Sequence, residues 1–296
     1  MTCMSERGIG MHERTGFSAT VHLLGPVDVE TADGWSNGLP AQLRKVLAVL
    51  AVHREVSLSA DQIVKRVWDG DPPESAIQMV RNQIRALRRL FEAIEGEAVE
   101  RSHGGYRLTA VGLAVDAELF RTLVREGRSR HGADDAAGAV RTLTRGLELW
   151  RGPEALVDVR DVPDLQVEAA GLDELRFQAE EMIAEGYLRL GSPEDALGIL
   201  RALTTLHPSR EWPWVQLMAA QTLIGRRIEA TDETYRRARH HLVDRSGLDA
   251  PLIAQVHRAL LLGVDGNELV AMIRRGPGEH SDRLSRWGNA GPVRDM

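Results

Sequence analysis

Apolar and polar positions along residues 75–91 (SAIQMVRNQIRALRRLF) repeat with a helical period. Ile77, Val80, Ile84, Leu87 and Phe91 fall on one stripe at offsets of three and four, the spacing a buried helical face requires. The opposite side carries Gln78, Arg81, Asn82, Arg85 and Arg89, with Arg88 at its edge. Upstream, residues 59–69 (SADQIVKRVWD) predict a second helix. Ser59 and Gln62 form a capping pair there, and Ile63, Val64, Val67 and Trp68 form its apolar stripe. Pro72 and Pro73 in the break GDPPES end that helix and let the next begin. Leu39–His53 predicts a third helix through Leu43, Val46, Leu47 and Leu50, and residues 19–30 read as two short strands around Gly25-Pro26. Downstream, the alternating runs AVERS and YRLTA join at His103-Gly104-Gly105, a hairpin signal.

From Asp116 onward the pattern is helical almost throughout, at about 116–130, 134–150, 164–190, 193–206, 211–224, 227–244 and 249–262. The stretches AEGYLRLGSPEDALGILRALTTLHP and MAAQTLIGRRIEATDETYRRARHHL align at an offset of 34 residues, with Gly191 and Gly225 at the turns and Ala196 and Ala230 in the following helices. That period is the tetratricopeptide-repeat signature. Two units are too few for a solenoid, so the helices before Leu190 are expected to complete the stack.

The expected fold is therefore mainly α. An α+β winged helix-turn-helix at 19–110 is followed by an all-α tetratricopeptide-like domain at 111–263, with a disordered leader at 1–18 and a flexible tail at 264–296.

Charge sharpens this picture. The chain of 296 residues carries a formal net charge of −6, yet the helix at 75–91 holds four arginines and no acid. Residues 17–110 hold 11 Lys plus Arg against 12 Asp plus Glu, and residues 111–262 hold 19 against 24. Favourable charge for a polyanion is thus local, on one helix face. Arginine reads guanine edges and clamps phosphates, while Gln and Asn read adenine edges. Double-stranded DNA is the partner this face implies, with Gln78, Arg81, Asn82 and Arg85 at base edges.

Other chemistry finds no footing. The one cysteine, Cys3, excludes an internal disulfide. His240 and His241 are adjacent, so on a helix they diverge by about 100° and cannot chelate one ion. No GxxxxGK[ST], GxSxG or HExxH motif occurs, so neither catalytic residues, metal nor cofactor are expected, and the chain is not read as an enzyme. No apolar run approaches the ~20 residues that span a bilayer, and no signal core begins the chain, so a cytoplasmic, nucleoid-associated protein is expected. The alternative is a helical-repeat interaction scaffold whose winged helix does not bind DNA.

The chain resembles the Streptomyces antibiotic regulatory protein family of transcriptional activators, which join an OmpR-type winged helix to a bacterial transcriptional activator domain. The resemblance is carried by LRKVLAVLAVH, VSLSADQIVKRVWDGDPPESA, IRALRRLF and HGGYRL in the first half. VDAELF, LTRGLELWRGPEAL, HPSREWPWVQLMAAQTLIGRRIEA and YRRARHHLVDRSGLD carry it in the second. It covers about residues 20–262 and fits the small, stand-alone class. Gln83 stands where members usually carry an aromatic residue. The resemblance implies binding to promoter direct repeats as a homo-oligomer on DNA. It also implies recruitment of RNA polymerase holoenzyme through its sigma and alpha subunits, and control of a secondary-metabolite (antibiotic) gene cluster. It further implies that Arg88, Arg89, Arg101 and His103 meet the DNA backbone or minor groove, and that the turn with Asp69, Asp71 and Glu74 faces polymerase.

Overall fold

The computed structural model describes residues 18–36, 38–54, 56–92, 97–109 and 112–273. The expected leader at 1–18, apart from Ser18, and most of the expected tail lie outside them. Two compact units are drawn respectively from Met1–Val124 with Arg145–Arg176, and from Arg125–Thr144 with Phe177–Met296.

The first unit opens with strands β1 (Ala19–His22), β2 (Asp28–Thr31) and β3 (Gly34–Trp35). Three helices follow: α1 (Ala41–Val52), α2 (Ala60–Trp68) and α3 (Ala76–Leu90). A hairpin of β4 (Val99–Ser102) and β5 (Gly105–Leu108) comes next, and then β6 (Leu113–Val115). The sheet order is β3-β2-β1-β6, with β6 parallel to β1 and Val21 opposite Val115. Strand β6 pairs inside this sheet, so the first domain runs past the boundary expected at Ala110. Three residues, all buried, are too short a run to show a strand period.

The helices form because their apolar stripes close on one core. Leu43, Val46, Leu47 and Leu50 of α1, Ile63 and Val67 of α2, and Val80, Ile84 and Leu87 of α3 are all buried, with Phe91, Val99 and Leu108 beside them. The capping box at Ser59 is made in full: the Gln62 amide donates to Ser59 Oγ (3.1 Å), and the Ser59 amide donates to Gln62 Oε1 (2.8 Å). Helix α2 ends at Asp69 in the left-handed region (φ 42), and the Pro-Pro break precedes α3. Ile77 is a correction: it is 38% exposed, because Ala76 takes the buried place at the start of α3.

Residues 145–176 fold back onto this unit. The Arg151 amide donates to Leu24 O and the Leu156 amide to Leu23 O, both at 2.8 Å. Acids of the same segment meet cations of α1 and α2. Asp158 pairs with Arg44 (2.5 Å), Asp161 with Lys45, and Asp164 with both Arg66 (2.5 Å) and His53 (3.0 Å). Asp116 is wholly buried and accepts from the amides of Leu23 (2.7 Å) and Leu24 (3.2 Å), which compensates its lost hydration.

The second unit takes in residues from α4 (Asp116–Gly132), α5 (Ala136–Leu147) and α6 (Pro163–Arg189). It continues with α7 (Pro193–Leu206), α8 (Glu211–Leu223) and α9 (Tyr235–Arg239). Helix α9 is flanked by π-helical turns at Glu229–Thr234 and His240–Arg245, and α10 (Pro251–Leu261) and α11 (Gly266–Ile273) complete the set. The repeat has a backbone signature. At Gly191 and Gly225, both with positive φ, the same pair of bonds closes the preceding helix: Ser192 N to Tyr187 O with Gly191 N to Leu188 O, and Arg226 N to Gln221 O with Gly225 N to Thr222 O. Gly263 and Asp134 repeat the arrangement, so four helical hairpins share one turn chemistry. Trp214 is fully buried in their core beside Leu200, Ala230 and Ile253, and its Nε1 donates to Pro208 O (3.1 Å). Part of the expected flexible tail is α11, whose Leu269, Val270 and Ile273 are buried in that same core. The sequence reads Glu268–Arg275 as a short helix within that tail, without showing what it packs against.

Candidate nucleic-acid interface

Helix α3 turns its apolar stripe inward and leaves Gln78, Arg81, Asn82, Arg85 and Arg89 exposed, which brings together on one face the side chains that the sequence put there. Within the face, Asn82 Oδ1 receives Arg85 Nη1 at 2.6 Å and Gln78 Nε2 at 3.1 Å. Arg88 is only half-buried but is directed toward the hairpin. Its Nε donates to Val99 O (3.0 Å) and its Nη2 pairs with Glu97 Oε1 (2.8 Å). That links the last turn of α3 to the first strand of the wing.

The wing has a two-residue turn. Ser102 pairs with Gly105, and His103 (φ 47) and Gly104 (φ 79) both lie in the left-handed region, as a type I′ turn requires. From the sequence Gly105 is expected in the turn. The structure puts it in β5 for a different reason: a Cβ there would meet the backbone of Leu58 at 2.6 Å. Leu58 and Tyr106 exchange two backbone hydrogen bonds (2.9 and 2.8 Å), which lock the wing to the segment before α2. Glu100 and Arg107 pair across the hairpin at 2.6 Å. Arg101 is exposed on β4, and at the tip His103 Nδ1 lies 2.8 Å from Ser102 Oγ.

Between the start of α2, helix α3 and the wing lies a cleft of about 400 Å³, lined by Ser59, Asp61, Arg81, Arg85, Arg88, Arg101 and Tyr106 among others. Four guanidiniums and the N-terminal end of α2 converge there, a combination suited to an anionic oxygen such as a phosphate. All four arginines are expected from the sequence, whereas Asp61 and Tyr106 are not. Both belong to short elements whose approach to α3 depends on tertiary pairing. Asp69, Asp71 and Glu74 are exposed together in the turn between α2 and α3.

Family models match both halves. "Transcriptional regulatory protein, C terminal" matches residues 37–108, and "Bacterial transcriptional activator domain" matches residues 115–261. Transcriptional regulator RedD of Streptomyces coelicolor is 30% identical over 258 residues, 84% of this chain and 72% of RedD. The chain belongs to the Streptomyces antibiotic regulatory protein family. Regulatory protein DnrI of Streptomyces peucetius, a further family member, is 29% identical over 83% of this chain and 94% of its own. The solved structure of Mycobacterium tuberculosis EmbR, in complex with a low-affinity phosphopeptide, aligns with a TM-score of 0.78 and 26% identity. The alignment covers 88% of this chain and 70% of EmbR. As a member of the family the chain is a DNA-binding transcriptional activator, and the family consists of transcriptional regulators rather than enzymes. Among the described residues no helix is long and apolar enough to cross a membrane.

Proposed function

We propose that the chain binds direct repeats beside a promoter, two or more protomers side by side, and recruits RNA polymerase holoenzyme to secondary-metabolite genes. Residues 19–110 read the DNA and carry the turn that meets polymerase, and residues 111–263 supply the bacterial transcriptional activator domain. The protein works in the cytoplasm, on the nucleoid. The observation that carries this reading is the exposed face of α3, where Gln78, Arg81, Asn82 and Arg85 stand clear of the core beside a cleft of guanidiniums. Those four reach base edges in the major groove, Arg89, Arg101 and His103 meet phosphates or the minor groove, and Arg88 joins them while holding the wing at its angle. The exposed acids Asp69, Asp71 and Glu74 face the sigma and alpha subunits of polymerase.

The test is a footprint of the full chain on its own promoter region, wild type against Arg81→Glu/Arg85→Glu. Each lost base contact removes about 1–3 kcal/mol, so the double variant binds at least tenfold more weakly. Unchanged affinity and an unchanged footprint would end the proposal.

A further inference from the structure

The hydrogen bonds on the recognition face fix which atoms remain to read a base. A guanidinium has only donors, so the Asn82 atom 2.6 Å from Arg85 Nη1 must be the amide oxygen. Gln78 approaches that same oxygen at 3.1 Å and must do so through Nε2. The Asn82 oxygen is thus occupied twice, once by a cation, which makes the stronger kind of hydrogen bond. What Asn82 has left to offer is Nδ2, with two N–H donors. Arg81 and Arg85 add donors only, so Gln78 Oε1 is the sole uncommitted acceptor among the four side chains. Ile77, 38% exposed at the start of the same helix, adds an apolar contact.

Base edges differ in what they ask of such a face. In the major groove guanine shows two acceptors, and thymine shows one acceptor and a methyl group. Adenine shows an acceptor beside a donor, and cytosine shows a donor. An asparagine reads adenine bidentately only when its oxygen and its nitrogen are both available. Here the oxygen is held by Arg85 and Gln78.

We propose that Asn82 is a donor-only reader, which selects guanine or thymine and rejects adenine on the strand that it faces. Arg85 is its positioning partner as well as a reader in its own right, and Ile77 favours thymine nearby through the methyl group. This rests on the reading of α3 as the recognition helix.

The experiment selects binding sites from a randomised duplex with the full chain as wild type, Asn82→Asp and Asn82→Ala. Asn82→Asp keeps an oxygen for Gln78 and Arg85 but replaces Nδ2 with an acceptor. It should move one position of the motif toward cytosine, by roughly fivefold to tenfold, the size of one modest base contact. Asn82→Ala should flatten that same position. Guanine or thymine preferred by the wild type at the position that changes supports the proposal. Adenine or cytosine preferred there overturns it, and so does one identical motif from all three proteins. If the wild type enriches no motif, and Arg81→Glu/Arg85→Glu leaves DNA affinity unchanged, the recognition-helix reading falls as well. Asn82 is exposed, so both variants should melt with the wild type, and this is checked alongside.

Discussion

Gly105→Ala should loosen the wing while leaving the helices beneath it folded. The new Cβ would lie 2.6 Å from both the carbonyl carbon and the oxygen of Leu58, and 2.7 Å from Ser57 Oγ. Backbone cannot turn aside as a flexible side chain can. If the contact is kept, overpacking costs about 1–3 kcal/mol. If the strands part instead, the two bonds between Leu58 and Tyr106 are lost, and at about 0.5–1.5 kcal/mol each the sum is similar. The Ser57 hydroxyl bond to Ser102 O (2.5 Å) goes with them. By either route the melting temperature falls by about 2–4 °C per kcal/mol for a unit of this size. Amide exchange at Tyr106 should speed up with it, and DNA affinity should fall because Arg101 and His103 lose their fixed place. Gly104→Asn is the control: its φ of 79 lies in open space, and asparagine tolerates that region. A Gly105→Ala protein with wild-type melting and a still-protected Tyr106 amide would refute the reasoning.

Two further predictions concern pH. Burial alone would raise the Asp164 carboxyl, but the hydrogen bond from His53 and the charge and hydrogen bond of Arg66 outweigh it and hold it below the ordinary carboxylate range. Its contribution is therefore present above the unfolded carboxylate pKa and is lost as pH falls through the lowered value, in the acid range below about pH 4. Asp164→Asn should cost about 0.5–1 kcal/mol, given its partial exposure, and flatten that acid limb in denaturant titrations; a superimposable limb would count against it. His257 stacks on Tyr235 with ring centroids 3.7 Å apart, and burial, opposed by a hydrogen bond with the Thr231 backbone, lowers its pKa. The folded state then favours the neutral ring, so stability should decline as pH drops below about 6.5 and level off once it is under the lowered value. His257→Gln should remove that slope from melting curves taken between about pH 5 and 7.5; a slope that persists would assign the effect to other groups.

Long periodic segments were legible in the sequence. The stripes of α1, α2 and α3, the Ser59 capping box and the 34-residue repeat each express a local rule that tertiary contacts reinforce. What stayed hidden depended on contacts between distant residues. Strand β6 has no pattern of its own and exists because β1 offers an edge. Gly105 resembled a turn glycine, and only the approach of Leu58 shows why a side chain is excluded there. Ile77 looked like a core residue because alanine, the actual start of the buried stripe, is a weak hydrophobic signal. At the interface the residue types were readable, and so was their shared face. The network joining Gln78, Asn82 and Arg85 was not, since a sequence carries no record of which amide atom faces which partner.

The acids of the segment folded back on α1 and α2 have an electrochemical consequence. Arg44, Lys45 and Arg66 already have internal counter-anions in Asp158, Asp161 and Asp164, so they release little from the ion atmosphere of an approaching duplex. On α3 and the wing Arg88 and Arg107 are likewise paired, with Glu97 and Glu100, so condensed sodium is displaced there mainly by Arg81, Arg85, Arg89 and Arg101. Operator binding by this regulator should therefore respond to ionic strength more gently than its 37 basic residues suggest, with discrimination among sequences resting on short-range contacts.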